Sequence, residues 1–585
     1  MRRLRNLPLI VLALAATGLM MAAPAAYGLA TGDRALAMVF AQTGVLVLLM
    51  ATLLAVATLQ RRPRNAVRGH FVSLLAAYAL VPVVAALPLA GPLSAPLLAE
   101  PEVTRGLIGT AGLRFFDAWF EMVSSFTTTG ATLLAEPGAV APGIHLWRAL
   151  VGWGGGFFVL FVAIAILAPV NLGGVEVETG HPPGRVMAES VPPAPGTGPG
   201  RRRRAMAQRP APGRERFGPG VEGAGLAGAG LAGAGEGAGQ SRRAVAGARR
   251  LNEDEAGLRI WTSLRFLTPV YVGLTAGLWI ALILAGESPL VAACHAMSVL
   301  ATSGISPVGG LEGAQAGRAG ELLILLCFVF AFSRRALPGP LSRSADRPLR
   351  RDHELRAAAF VLITLTMVLF LRQFAGAAGQ GGGGDLMAAA RALWGSVFTL
   401  ASFLSTTGFV SGDWAASRLW SGLPPPGLAL AGLALIGGGV ATTAGGIGLL
   451  RAYALYRHGM HEMDKLLHPS LVAGRGARAR ALRSQGAYAA WLALMLVLFA
   501  MAAVLAALTI TGVDFEAAMI LTVAALSTTG PLAEMVAAGP IRYGDLPDAA
   551  RAILGAAMVI GRLELLAVIA LLTPGGWRGW RGWRG

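Results

Sequence analysis

Only two cysteines occur in 585 residues, and charge is sparse: 14% of the chain is charged against 55% apolar. Cys294 and Cys327 sit in apolar surroundings without CxxC or ligand spacing, which excludes a disulfide scaffold and a cysteine-bound metal. No HExxH, GxSxG or comparable nucleophile-and-base set occurs, so no catalytic residues are assigned and enzymes drop out of the leading classes. Acidic residues are also few, 31 against 49 Lys and Arg, which gives a net charge of +18. In a soluble chain that excess points to nucleic acid; here its distribution points to membrane orientation, and no nucleic-acid partner is inferred.

What is present is a series of long apolar runs. They read as spans near 7–30, 36–59, 71–90, 147–170, 262–285, 320–333, 355–372, 425–455, 488–510 and 551–573. The first follows Arg2, Arg3 and Arg5 and ends near Ala22–Ala26, imitating a cleavable signal peptide; its length and the closely following second run favour retention. Every second connection is arginine-rich: Arg61, Arg62, Arg64 and Arg68, then 200–259, then Arg334–Arg351, then Arg457–Arg483, then Arg578, Arg581 and Arg584. The positive-inside rule then places both termini in the cytoplasm of a multi-pass membrane protein. Residues 176–250 break the pattern with Gly-Ala repeats, prolines and Arg201–Arg204, and read as a disordered cytoplasmic insertion. Its arginines are either a solvated linker run or a contact for anionic membrane lipids or a partner.

Between the spans lie four shorter apolar segments ending in hydroxyl-rich turns. They are Thr128-Thr129-Gly130, Thr302-Ser303-Gly304, Thr406-Thr407-Gly408 and Thr528-Thr529-Gly530. Gly304 and Gly408 are 104 residues apart, Gly408 and Gly530 are 122 apart, and the first gap of 174 falls to 99 without the 75-residue insertion. One such triplet is a weak signal; four at a period of about a hundred residues, each after a short apolar helix, mark an internal repeat. Non-helical backbone at membrane depth survives only where protein encloses it or water reaches it, and one shared axis satisfies four interruptions at once. Around that axis backbone carbonyls replace the hydration shell of a monovalent cation, and the neutral hydroxyls keep binding weak enough for release. Small-residue helix packing is the bland alternative.

The expected fold is an all-α membrane protein of four tandem membrane-pore-membrane repeats around a central pore, preceded by two extra transmembrane helices. Its parts are 1–66 for those two helices, 67–175 for the first repeat, the insertion 176–250, 251–336 for the second repeat and 337–455 for the third. A cytoplasmic linker at 456–485 and the fourth repeat with its tail at 486–585 complete the chain. A monovalent cation, as substrate rather than cofactor, is expected at Thr129, Gly130, Ser303, Gly304, Thr407, Gly408, Thr529 and Gly530.

A fifth interruption falls in the run 425–455. Gly437, Gly438, Gly439, Ala441, Thr442, Thr443, Ala444, Gly445 and Gly446 are too small and too flexible for a continuous helix, so the span is expected to break there. It forms either a constriction beneath the third turn or a close helix-packing seam. Arg562 and Glu564 are charges inside the last apolar run; Arg562 facing the pore repels cations and gates it, while at an interface it snorkels. Asp117 and Glu121 either cap and pack a helix or concentrate cations, Asp413 and Asp514 share that ambiguity, and His295 reads as a packed neutral histidine.

The runs Phe120–Thr132, Thr442–Ile447 and Leu526–Pro531, with Gly561-Arg562-Leu563-Glu564, resemble the Trk/Ktr/HKT superfamily of potassium transporters, and within it the bacterial Trk-system membrane subunits of the TrkH type. That resemblance spans the chain apart from the insertion. It implies a homodimer with a gated pore in each subunit, potassium uptake, and a cytosolic nucleotide-binding regulatory partner of the TrkA kind. It carries the filter glycines onto Gly130, Gly304, Gly408 and Gly530, the gating loop onto 437–446 and the lower-pore arginine onto Arg562. Gly130, where some sodium-preferring plant relatives have serine, implies potassium selectivity. Three departures stand out: Thr302-Ser303-Gly304-Ile305 where the family usually has two glycines and phenylalanine, Gly448 where it usually has lysine, and the insertion 176–250 with the glycine- and arginine-rich stretch 334–352 on the face where a regulatory partner would dock. A second function class is a sodium- or proton-coupled potassium carrier of the Ktr kind, which calls for paired broken spans in inverted orientation.

Overall fold

The computed structural model describes residues 7–58, 66–90, 108–109, 112–134, 137–167, 260–337, 352–380, 384–424, 426–467, 487–535 and 539–563. The insertion 176–250, the arginine-rich stretch 338–351, residues 468–486 and the tail from Glu564 onward lie outside the described residues.

Eight helices among the described residues are long and apolar enough to cross a membrane: Leu9–Thr31, Arg34–Thr58, Phe71–Leu89, Pro142–Leu167, Ile260–Leu284, His353–Gly379, Leu386–Leu404 and Ala487–Ile510. Their outward faces carry Leu53, Phe360, Ile363, Leu371 and Phe499, all exposed. Exposed apolar side chains over this many helices are what a hydrocarbon solvent demands, and the chain is an all-α multi-span membrane protein. Among the described residues the one strand pair is a two-residue antiparallel ladder, Ile108–Gly109 against Gly112–Leu113.

Ten spans were expected, and the differences have physical causes. The run at 320–333 forms the helix Gly317–Phe332, which at 16 residues is shorter than a bilayer crossing. The third turn is preceded by a 19-residue helix, Leu386–Leu404, whose start Asp385 caps by accepting from Met387 and Ala388 N–H at 3.0 Å each. The run 425–455 splits into Gly427–Ile436 and Leu449–Leu467. The final run gives the helix Asp548–Arg562 within the described residues.

Four helices end at the four turns: Phe115–Phe126, Pro289–Ala301, Leu386–Leu404 and Phe515–Leu526. Each packs against long or companion helices of its own stretch of chain, and Asp548–Arg562 returns to pack on Phe115–Phe126. The last stretch of sequence is thereby brought back to the first, and the buried core lies around the turns.

Candidate functional site: four turns and a loop beneath them

All four turns are built the same way. The backbone N–H of Thr128 donates to Ser125 C=O at 2.9 Å and that of Thr129 to Ser124 C=O at 2.8 Å. The same pair of bonds recurs as Thr302 to Val299 (3.2 Å) and Ser303 to Ser298 (2.9 Å), Thr406 to Phe403 (3.1 Å) and Thr407 to Ser402 (3.0 Å), and Thr528 to Ala525 (3.3 Å) and Thr529 to Ala524 (2.8 Å). This is the Schellman helix ending, which needs a left-handed residue just past the helix. Glycine normally fills that place; here threonine does so four times, at φ +55°, +53°, +60° and +55° for Thr128, Thr302, Thr406 and Thr528. A β-branched residue in this region is strained by roughly 1–2 kcal/mol, so surrounding structure must hold it there.

The turns touch in cyclic order. A Cβ added to Gly130 would collide with the Ser303 carbonyl, one on Gly304 with the Thr407 carbonyl, one on Gly408 with Pro531, and one on Gly530 with Ala131. First meets second, second meets third, third meets fourth and fourth meets first. Gly130, Gly304 and Gly408 also need positive φ (+75°, +64° and +82°), so glycine is required there twice over. Because each helix ends at this ring, four helix C-termini with their partial negative charge converge on it, an arrangement that favours a cation. Thr128, Thr129, Ser303, Thr407 and Thr529 are buried with it.

Each turn is held from behind. Glu121 accepts from Thr132 Oγ1 (2.7 Å) and Leu133 N–H (3.0 Å) and pairs with buried Arg148 at 2.6 Å. Glu321 does the same for the third turn, accepting from Gly412 N–H at 2.7 Å, Ser411 Oγ at 2.8 Å and Trp394 Nε1 at 2.5 Å. His295 lies behind the second turn with Nε2 2.9 Å from Ser306 Oγ and its ring edge-on to Phe409 at 5.5 Å. Tyr543 donates to the Gly530 carbonyl at 2.9 Å. Asp117 is buried against Arg551 at 2.7 Å and Arg114 at 2.8 Å, and Asp413 pairs with Arg318 at 2.7 Å, so both act as structural partners. Asp514 precedes the fourth helix and makes no side-chain cap bond. Sequence reasoning missed Glu321 and Tyr543; for Glu321 an isolated carboxylate in an apolar helix was a usable signal, and Tyr543 gave none.

The loop 437–448 lies directly against the turns. Its base is closed by Ile447 N–H to Leu435 C=O (2.9 Å) and Gly448 N–H to Ile436 C=O (2.8 Å). Gly437, Ala441, Gly446 and Gly448 all have positive φ, +71°, +57°, +80° and +97°. The +97° of Gly448 is a conformation that a residue with a side chain resists. The loop reaches three turns directly: Thr302 Oγ1 donates to Thr443 C=O (2.8 Å), Gly445 N–H donates to Thr406 Oγ1 (2.8 Å), and Gly445 abuts Ser527. Arg562 supplies the link to the first turn, with Nε to Thr127 C=O and Nη1 to Thr443 C=O, both 2.6 Å. On its outer side the loop is tied by Gly439 N–H and Thr442 Oγ1 to Ala331 C=O (2.9 and 3.0 Å), and by Val440 N–H to Glu354 at 2.7 Å. Gly438 and Ala444 complete the lining of this packed segment. A cavity of about 140 Å³ opens beside it, lined in part by Tyr78, Val159, Leu435, Gly445 and Arg562. Among the described residues no cluster of His, Cys, Asp and Glu could hold a metal ion.

Residues 346–574 match the TrkH family model, described as cation transport protein. The chain is 26% identical to the Trk system potassium uptake protein TrkH of Halomonas elongata, with 81% of each chain covered. It is 25% identical to Trk system potassium uptake protein TrkH of Escherichia coli K12, with 80% of each covered. The crystal structure of the potassium transporter TrkH from Vibrio parahaemolyticus superposes with a TM-score of 0.69 at 21% identity, covering 99% of this chain and 100% of that one, a likeness of fold. Motifs, family model, relatives and fold point the same way: the chain is similar in sequence to TrkH proteins and shares the fold of one of them.

Proposed function

We propose that the protein takes up potassium across the bacterial inner membrane through a gated pore within each subunit. Four membrane-pore-membrane units surround the path, and the two N-terminal helices stand outside it. The observation that carries this reading is the closed cycle of four turns sharing one helix ending, with one loop touching three of them and tied to the first through Arg562. Helix C-termini converge there, neutral hydroxyls surround it, and ions pass by exchanging water for carbonyl oxygens of the turns centred on Gly130, Gly304, Gly408 and Gly530.

The loop 437–446 and Arg562 form the gate. In the arrangement described, Arg562 ties the loop to the first turn and sets a fixed positive charge beside the path. Conduction requires the loop to leave the threonine hydroxyls and carbonyls it now engages. We further read the protein as a homodimer with cytoplasmic termini, regulated by a cytosolic nucleotide-binding partner of the TrkA kind, since the relatives are named as Trk-system proteins. The process moves an ion and changes no covalent bond.

Potassium and rubidium flux into vesicles holding the purified chain, with the reversal potential followed as sodium and pH are varied separately, tests the proposal. A reversal potential that tracks the potassium gradient is the expected result. Fixed stoichiometric coupling to sodium or protons would replace the pore by a carrier of the Ktr kind.

A further inference from the structure

We infer that the glycine level of the filter is three-sided, and that Tyr543 is the positioning residue that makes it so by holding the Gly530 carbonyl out of the ion path. The inference deepens the proposed function and rests on it.

Among the four glycines of the ring, Gly530 is the exception. Gly130, Gly304 and Gly408 have positive φ and Gly530 does not. Its N–H donates to the Thr129 carbonyl at 2.6 Å, which ties the fourth turn to the first. Its carbonyl accepts two hydrogen bonds, from Ala533 N–H at 3.2 Å and from Tyr543 Oη at 2.9 Å. A carbonyl oxygen has two lone pairs, so both are committed to the protein. Among the described residues nothing donates to the carbonyls of Gly130, Gly304 or Gly408. A cation at that level therefore finds three free glycine carbonyls, and the fourth side is a wall of protein.

The chain explains the asymmetry. Pro531 follows Gly530 and a one-turn helix, Leu532–Met535, begins at once, so the carbonyls of Thr529, Gly530 and Pro531 accept from Leu532, Ala533 and Glu534 N–H. Backbone capping alone supplies one partner to Gly530. The second comes from a distant side chain: Tyr543 is buried, its ring lies 6.0 Å from that of Phe120 on the first helix, and its segment is drawn back by Ile541 N–H to Ala533 C=O at 3.2 Å. Tyr543 is thus wedged between the helix of the first turn and the backbone of the fourth. It touches no ion; it fixes the position of a wall whose place sets the width of the ring.

Selectivity by a filter of this kind depends on the number and placement of its oxygens. Tyr543→Phe keeps the buried ring and removes only the hydroxyl. The Gly530 carbonyl is then held by one backbone bond, the fourth wall moves, and the smaller, more strongly hydrated sodium ion is discriminated less well.

The test uses the full chain in vesicles, with bi-ionic reversal potentials for potassium against sodium measured on wild type, Tyr543→Phe and, as a filter control at another turn, Gly304→Ser. The expected result is a rise of about threefold to tenfold in relative sodium permeability for Tyr543→Phe, the scale of one lost hydrogen bond, at unchanged abundance and elution volume. A wild type that discriminates, with a Gly304→Ser control that does not and a Tyr543→Phe variant identical to wild type, overturns this inference and leaves the proposed function standing. A wild type that passes no cation overturns both. A density map of the wild type in rubidium supplies a check that needs no variant: rubidium beside the carbonyls of Gly130, Gly304 and Gly408 alone supports the three-sided ring, and the Gly530 carbonyl among its ligands refutes it.

Discussion

Replacing Arg562 by glutamine attacks a side chain that joins the loop to the first turn. The guanidinium makes two bonds to backbone carbonyls, Nε to Thr127 and Nη1 to Thr443, each at 2.6 Å. Hydrogen bonds from a charged donor contribute about 1.5–3 kcal/mol each, so the closed arrangement loses at least about 3 kcal/mol when both go. Glutamine recovers part of this through one neutral bond. If only about 1 kcal/mol survives as a shift between closed and open loop, the open population still rises about fivefold. Removing the charge adds to this, because a cation passing at about 4 Å meets a repulsion of about 4 kcal/mol at an effective dielectric constant of about 20. The assay is initial rubidium uptake by vesicles containing the chain without a cytosolic partner, and the expected outcome is a gain of about fivefold or more. Arg562→Lys separates the two effects: it keeps the charge and loses the two-pronged geometry, so its gain should be smaller. Uptake by Arg562→Gln equal to wild type, at equal abundance, would refute the gating role.

Gly408→Ser places a side chain at φ +82° and against Pro531, whose Cγ is 2.9 Å from the new Cβ; discrimination of potassium from sodium should fall in paired rubidium and sodium flux while abundance holds. Glu121→Ala leaves Arg148 buried without its carboxylate and frees Thr132 and Leu133, so a melt in detergent should show a loss of about 3–5 kcal/mol, the scale for breaking a buried pair. The Arg114 and Arg551 guanidiniums hold the Asp548 carboxyl below the usual aspartate range. A depressed folded-state value contributes stability that is complete above the unfolded aspartate value and is lost as pH falls through the folded one. The stability difference between wild type and Asp548→Asn should therefore be constant from neutral pH down to the ordinary aspartate range and shrink below it. Because Asp548 is half exposed, its own share, read as the difference from Asp548→Asn, is small.

The four turns were legible because the chain repeats them: Thr-hydroxyl-Gly after a short apolar helix is a local pattern, and the backbone reason for glycine at Gly130, Gly304 and Gly408 is local as well. The break in the run 425–455 was legible for the same reason, since nine small residues in ten cannot sustain a helix. The hidden parts are contacts between residues far apart in sequence. Nothing local marks Thr443 C=O as the shared acceptor of Thr302 and Arg562, 141 and 119 residues away. The ambiguity at Glu121 was resolved only by finding Arg148 one helix later, at 2.6 Å. Length misled once: Gly317–Phe332 is too short to span by itself.

The four left-handed threonines pose the sharpest question of cost against use. Glycine at Thr128, Thr302, Thr406 and Thr528 would give the same helix ending without the roughly 1–2 kcal/mol of strain per residue. What glycine lacks is the hydroxyl, and two of the four hydroxyls, those of Thr302 and Thr406, bond the loop directly. The strain is thus tied to a function that the helix ending does not need. Thr406→Gly should leave the fold at least as stable, because relief of strain offsets the lost bond, and should raise basal rubidium flux, because Gly445 N–H loses its acceptor. Thr406→Ser keeps the hydroxyl and should keep the flux low. If Thr406→Gly melts well below wild type and conducts no faster, the hydroxyl serves the filter's own rigidity and the loop is held by other contacts.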